Sequence, residues 1–124
     1  MNTMGIDLGS RHVKVCRMTG GVPTSLQVFD TMLFYREYGV TCGDGFTLDI
    51  ERLGGEAGMV VATGYGRMAA ALRGAVSISE ITAHTLGAIM MTGLDTFTLL
   101  DMGGQDYKIV RIVGDQRVSS VNQI

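Results

Sequence analysis

Residues 4–10 of the chain read MGIDLGS and residues 100–106 read LDMGGQD, and the two stretches match over a longer segment. Alignment of the segments brings four pairs of like residues into register: Asp7 with Asp101, Gly9 with Gly103, Lys14 with Lys108, and Arg17 with Arg111. Each segment therefore reads Asp-x-Gly-x-x-x-x-Lys-x-x-Arg between apolar runs. We interpret the pair as a duplicated hairpin, two strands joined by a glycine turn.

The glycine turns predict phosphate binding. A tight turn between strands lets backbone N–H groups converge on phosphate oxygens, because a side chain there would block the approach. Gly9 and Ser10 supply the first turn, and Gly103-Gly104 supplies the second. Lys14, on the strand that leaves the first turn, is placed to bring its ammonium group to a phosphate oxygen.

Acidic residues beside the turns predict a magnesium site and catalytic groups. Asp7 and Asp101 end the preceding strands, where each can hold Mg²⁺ through the waters that this ion retains. Gln105 and Asp106 follow on the turn expected to face a γ-phosphate, where a side chain can position the attacking water. Asp101, Gln105 and Asp106 are therefore the candidate catalytic residues. The alternative, that these are ordinary polar turns, stays open.

The remaining pattern predicts an α/β domain. Strands are expected at residues 4–8, 13–18, 24–29, 59–62, 97–101, 107–113 and 117–121, and helices at residues 67–73 and 78–92. Ser77 and Glu80 have the spacing of a capping box before the second helix, and Gly93 is placed to cap its end. Residues 31–58 are ambiguous, with a loop at 42–45 and a short helix beginning within 46–53.

Composition and charge narrow the class of protein. With 46% hydrophobic and 18% charged residues, the 124-residue chain has the balance of a packed domain. Its net charge of −2 and scattered basic residues argue against a nucleic-acid partner. No apolar stretch approaches the roughly 20 residues that span a membrane, and no signal pattern opens the sequence. We therefore expect a cytoplasmic protein with no membrane partner, in which Cys16 and Cys42 are free thiols.

The two segments resemble a known pair of motifs. Residues 4–10 with Lys14 are similar to the phosphate-1 motif, and residues 100–106 with Lys108 to the phosphate-2 motif, of the acetate and sugar kinase, Hsp70 and actin superfamily. Within it, three segments resemble the ATP-driven activators of 2-hydroxyacyl-CoA dehydratases and benzoyl-CoA reductases: ATGYGR at 62–67, ISEITAH at 78–84 and GGQD at 103–106.

The resemblance implies a fold, cofactors and a partner. The fold would be a ribonuclease H-like (actin-like ATPase) lobe, a mixed sheet with flanking helices, plus the first hairpin of a second lobe. ATP with Mg²⁺ would lie against the phosphate-binding residues, which are Gly9, Ser10, Arg11, Lys14, Gly103 and Gly104. Hydrolysis would be coupled to reductive activation of an acyl-CoA dehydratase or reductase component.

The chain also departs from that family. Ala83 stands where members typically have Cys, Tyr107 where they have Ser, and Arg11 and His12 where small or aliphatic residues are usual. Members carry a [4Fe-4S] cluster shared between two subunits, whose first cysteine ligand would lie beyond Asn122. The two cysteines of this chain do not match the ligand positions, so the cluster ligands are not expected in it.

The length predicts part of a nucleotide clamp. A two-lobed clamp needs on the order of 250 residues at usual domain sizes, about twice this chain. We therefore expect residues 1–94 to form the first lobe and residues 95–124 to begin the second, whose remainder is absent. ATPase activity would then require a second lobe or subunit, and an oligomer is expected. The alternatives are a non-catalytic actin-fold half-module that acts as an interaction partner, or a fragment of a small-molecule kinase of the same superfamily.

Four further residues keep more than one interpretation. Glu80 either caps its helix or orders a catalytic water. His84, on the same helix, is either a packed or hydrogen-bonded histidine or a catalytic one. Tyr65 and Arg67 are candidates for contacting a partner or bridging the lobes, and the sequence alone leaves their roles open.

Overall fold

The predicted opening meander forms one side of a mixed five-stranded sheet. The computed structural model describes residues 1–43, 45–54, 58–71, 73–102 and 107–114, and the backbone of residues 116–123. The chain divides into a first unit, Met1–Ser79, and a second unit, Glu80–Ile124. The lobe boundary expected between residues 94 and 95 stays a prediction.

The first unit contains seven strands and three helices among its described residues. In chain order they are β1 (Asn2–Leu8), β2 (His12–Thr19), β3 (Val22–Asp30), α1 (Thr31–Tyr38), β4 (Gly39–Cys42), β5 (Gly45–Leu48), α2 (Ile50–Gly54), β6 (Met59–Gly64), α3 (Arg67–Ala71) and β7 (Val76–Ser77). The main sheet has the order β3-β2-β1-β6-β7, and β4 and β5 form a separate hairpin. The three strands of the meander are antiparallel, whereas β6 runs parallel to β1 and β7 parallel to β6.

Alternation along β1 explains the core of the first unit. Met4, Ile6 and Leu8 are at most 2% exposed, because every second side chain of a strand points to the same face. Val13 and Val15 on β2 are fully buried beside them. Asp7 and Lys14 point to the opposite face, which leaves that face available for polar chemistry.

The ambiguous stretch at residues 31–58 contains a helix that the sequence pattern did not predict. The Asp30 side chain accepts a hydrogen bond from the Leu33 N–H and so caps α1, and Phe34 packs against Phe29 with ring centroids 5.3 Å apart. Helix α1 is only eight residues long, so its caps and tertiary packing matter more than propensity.

The short helix expected within residues 46–53 begins later than predicted. Phe46 pairs with Thr41 in the β4–β5 hairpin, so this part of the segment is a strand. Helix α2 then begins at Ile50, where Asp49 accepts a hydrogen bond from the Arg52 N–H at 3.1 Å. The helix was predicted correctly in kind, but the strand before it was missed.

The second unit consists of one helix followed by an antiparallel sheet. Its elements are α4 (Glu80–Thr92), β8 (Phe97–Met102), β9 (Tyr107–Val113) and β10 (Gln116–Gln123), and the strand order is β10-β9-β8. Val110 and Ile112 on β9 are at most 1% exposed. Helix α4 ends as predicted, since Gly93 has a φ of +71° and donates its N–H to the Ile89 carbonyl at 2.8 Å.

The start of α4 differs from the predicted capping box. Ser77 belongs to β7, where it pairs with Ala62, and the helix begins at Glu80. Ser77 is therefore not the N-cap of α4, because two residues separate it from the first helical residue. The α/β fold class, a mixed sheet with flanking helices and a following hairpin, is confirmed. None of the helices in the described part of the chain is long and apolar enough to cross a bilayer.

Candidate functional site

The turn between β1 and β2 is held in place by the start of α1. The Thr31 hydroxyl donates to the Gly9 carbonyl at 2.9 Å, and the Thr31 N–H donates to the Arg11 carbonyl at 3.0 Å. A Cβ on Gly9 would lie 2.7 Å from the His12 carbonyl oxygen, closer than real Cβ contacts. The turn is therefore tight, and Gly9 is needed for it. Ser10 and Arg11 are exposed at its tip.

Asp7 lies near the end of β1 with polar neighbours on both adjacent strands. It is the cross-strand partner of Lys14 on β2 and of Thr63 on β6, so the three side chains share one face of the sheet. The Lys14 Nζ lies 3.7 Å from Asp7 Oδ2, and the Asp7 side chain is 32% exposed. The carboxylate is therefore accessible to a ligand. The Thr63 hydroxyl is buried and has no hydrogen-bond partner among the described residues.

A glycine loop after β6 makes room for Asp7. Gly64 has a φ of +91°, and a Cβ there would lie 2.8 Å from Asp7 Oδ1 and 2.6 Å from the Leu8 carbonyl oxygen. The Gly66 N–H donates to the same Leu8 carbonyl at 3.2 Å, which ties the loop to the end of β1. The sequence predicted a glycine loop here and singled out Tyr65 and Arg67 as functional candidates, but it assigned Gly64 no functional role, although Gly64 lies in the ATGYGR motif.

The loop after β6 is contacted by Arg67 and Tyr35, whereas Tyr65 is exposed. Tyr65 is 91% exposed, whereas Arg67 donates to the Gly64 carbonyl at 3.3 Å. A side chain on Gly66 would overlap the Tyr35 hydroxyl, and burial raises the pKa of that phenol above its ordinary value. Arg67 and Tyr35 thus support the loop, and Tyr65 faces solvent.

The second hairpin repeats the register of the first. Asp101 on β8 is the cross-strand partner of Lys108 on β9, as Asp7 is of Lys14. The duplication seen in the sequence therefore has the same strand pairing in both units. The tip of this hairpin, Gly103, Gly104, Gln105 and Asp106, lies outside the described residues. Their predicted roles in phosphate binding and catalysis stay predictions.

The second hairpin differs from the first in the partners of its charged side chains. His84 Nδ1 on α4 lies 3.0 Å from Asp101 Oδ2, within hydrogen-bonding distance. The Lys108 Nζ lies 3.8 Å from Glu80 Oε2. His84 is thus a hydrogen-bonded histidine, which is one of the interpretations that the sequence left open. Neither contact was expected from the sequence, because cross-element pairing cannot be inferred from spacing along the chain.

Each hairpin carries a carboxylate that fits a hydrated magnesium ion. Carboxylate oxygens are the protein ligands that Mg²⁺ takes, and the ion keeps waters that bridge to further groups. Asp7 and Asp101 are 32% and 22% exposed, so both can be reached by a hydrated ion.

The two cysteines lie on strands of different sheets in the first unit. Cys16 is half-buried on β2, and Cys42 is exposed on β4. Within the described residues, no group of three or more His, Cys, Asp and Glu side chains is arranged to hold a metal ion.

Comparison with known proteins identifies the class and the family. The mixed sheet and the two hairpins of matching register are those of an actin-like ATPase fold, and no family model matches the sequence. A curated relative, the 2-hydroxyisocaproyl-CoA dehydratase activator of Clostridioides difficile, is 30% identical over 95% of this chain and 44% of its own length. The chain is thus a homologue of the acyl-CoA dehydratase activators, which confirms the resemblance inferred from its motifs.

Two solved structures agree with this assignment. The activator of the 2-hydroxyisocaproyl-CoA dehydratase from Clostridium difficile, with bound ADPNP, has a TM-score of 0.71 at 25% identity and matches 100% of this chain. Component A of the Acidaminococcus fermentans (R)-2-hydroxyglutaryl-CoA dehydratase has a TM-score of 0.70 at 22% identity, also over 100% of this chain. The chain spans 46% and 47% of these proteins, about half their length.

Proposed function

We propose that this chain is the phosphate-binding half of an ATP-hydrolysing activator, which couples Mg-ATP to the reductive activation of an acyl-CoA dehydratase or reductase. The observation that carries the proposal is the matched register of Asp7 with Lys14 and of Asp101 with Lys108. Homology to dehydratase activators supports it, as does the ADPNP bound to one of them.

The first hairpin would bind phosphate groups through its turn. The backbone N–H groups of Gly9, Ser10 and Arg11 would donate to phosphate oxygens. The hydrogen bonds from Thr31 to the Gly9 and Arg11 carbonyls would keep the turn in place. The Lys14 ammonium would turn from Asp7 to a phosphate oxygen, which costs little because the exposed pair contributes at most about 1 kcal/mol. Asp7 would then hold the waters of the magnesium ion.

The second hairpin would act on the terminal phosphate. The backbone of Gly103 and Gly104 would bind its oxygens, and Asp101 would hold the hydrated magnesium ion. Gln105 and Asp106 would position the attacking water. Bound magnesium would neutralise the charge that develops on the phosphate oxygens. A second lobe or subunit would complete the nucleotide site. We also propose a cytoplasmic location for the protein.

Reconstitution tests the proposed activity. The full-length protein, meaning this chain together with the lobe or subunit that completes the nucleotide site, is mixed anaerobically with a reductant and the 2-hydroxyisocaproyl-CoA dehydratase component. Dehydration of the acyl-CoA is then followed. Activity is expected with Mg-ATP and not with Mg-ADPNP, since hydrolysis drives the activation. Protein without nucleotide is the matched control.

Two outcomes would contradict the proposal. Activation that is equal with and without ATP would indicate an interaction protein that does not use hydrolysis. ATP-dependent phosphorylation of a hydroxyl substrate, with no activation of any dehydratase or reductase component, would indicate a small-molecule kinase.

A further inference from the structure

The two hairpins share a register but use their charges differently. In the first unit, Lys14 faces its own cross-strand partner Asp7 at 3.7 Å. In the second unit, Lys108 lies 3.8 Å from Glu80, and Asp101 lies 3.0 Å from His84. Helix α4 therefore provides a partner for Asp101 and a different one for Lys108.

The spacing of the helix residues explains how one element reaches both. Glu80 and His84 are four residues apart on α4, so they lie one turn apart on the same face of the helix. The Lys108 and Asp101 side chains are 14% and 22% exposed, whereas their partners Glu80 and His84 are 39% and 42% exposed, so each contact is partly open to solvent. The partial burial of Lys108 and Asp101 strengthens both contacts relative to those between two fully exposed side chains.

We propose that His84 is a positioning residue for Asp101. Nδ1 of His84 fixes the rotamer of the carboxylate by holding Oδ2, and Oδ1 is then presented to the hydrated cation of a bound nucleotide. This inference rests on the proposed function. His84 is not itself the cation ligand, because magnesium takes oxygen ligands.

The contact with Glu80 supports the same arrangement. A lysine directly opposite Asp101 would compete with a cation for the carboxylate, as Lys14 does with Asp7. Glu80 draws the Lys108 ammonium to 3.8 Å from its own carboxylate, which leaves Asp101 to His84. A neutral or charged imidazole that binds only one oxygen orients the carboxylate without covering it.

Binding of ADPNP to the full-length protein tests the role of His84. Affinities are measured by calorimetry with Mg²⁺ and, separately, with EDTA. His84→Ala is expected to weaken Mg-ADPNP binding by about 10- to 100-fold, the usual effect of losing a group that orients a metal ligand. The affinity measured in EDTA should be unchanged. His84→Asn, whose amide N–H can replace Nδ1, should retain most of the wild-type affinity.

The controls separate positioning from folding and from the proposed function. Met91→Ala alters an 89% exposed side chain on the same helix and should bind like wild type in both conditions. The positioning role would be overturned by equal losses of affinity in Mg²⁺ and in EDTA, or by a His84→Ala protein that binds Mg-ADPNP as wild type does. Neither result would contradict nucleotide binding by the wild-type protein. A wild-type protein that fails to bind Mg-ADPNP would overturn the proposed function and this inference together.

Discussion

Asp101→Asn is expected to weaken Mg-ADPNP binding by the full-length protein by about 10- to 100-fold, because the neutral amide loses the charge that holds the hydrated ion. Asp7→Asn should have an effect of the same kind. Calorimetric titration measures both, and each loss should be larger in Mg²⁺ than in EDTA. Asp95→Asn is the matched control, since it makes the same charge change at an exposed position after α4.

Both aspartate variants should keep their fold. The Asp7 contact with Lys14 is a partly exposed ion pair at 3.7 Å, and such pairs contribute at most about 1 kcal/mol. Asparagine at position 101 keeps an oxygen that can accept from His84. Thermal unfolding midpoints close to wild type would therefore accompany the loss of affinity. Unchanged affinity in both variants would refute the magnesium site.

Gly64→Ala is expected to destabilise the protein by about 1–3 kcal/mol, since alanine is strained at a φ of +91°. The added Cβ would also meet the Leu8 carbonyl and the Asp7 carboxylate, so Mg-ADPNP affinity should fall with stability. Thermal or urea unfolding measures the change in free energy. Gly87→Ala is the matched control.

The Gly87→Ala control separates the effect of the position from the effect of changing glycine to alanine. Gly87 lies inside α4 with nothing within 4 Å of an added Cβ, and its φ is not positive. Alanine there should stabilise the helix by roughly 0.5–1 kcal/mol because it loses less backbone entropy than glycine on folding. A Gly64→Ala protein as stable as wild type would show that the loop after β6 does not constrain the end of β1.

The two hairpins could be predicted from the sequence because their signals are local. Strand alternation, a glycine turn and the repeated Asp-to-Lys spacing all lie within short segments, and the spacing of Asp7 and Lys14 places them directly opposite each other. The end of α4 at Gly93 was equally local, since one residue with positive φ terminates the helix.

Other features depend on contacts between distant segments and could not be predicted. Helix α1 is too short for a clear periodic pattern, and the packing of Phe34 on Phe29 fixes it. The hydrogen bond from the Thr31 hydroxyl to the Gly9 carbonyl joins residues that are 22 positions apart in the sequence. Likewise, the distance of 3.0 Å between His84 and Asp101 follows from how α4 packs on β8, which no motif encodes.

Hydrogen–deuterium exchange with and without Mg-ADPNP tests most directly whether the paired turns bind the phosphates. The full-length protein should show slower exchange at the amides of residues 9–11 and of residues 103–106 when Mg-ADPNP is present, because those N–H groups become hydrogen-bonded to phosphate oxygens. Amides on the exposed strand β3 should exchange at unchanged rates. Saturating Mg-ADPNP that leaves both turns unprotected would contradict the account.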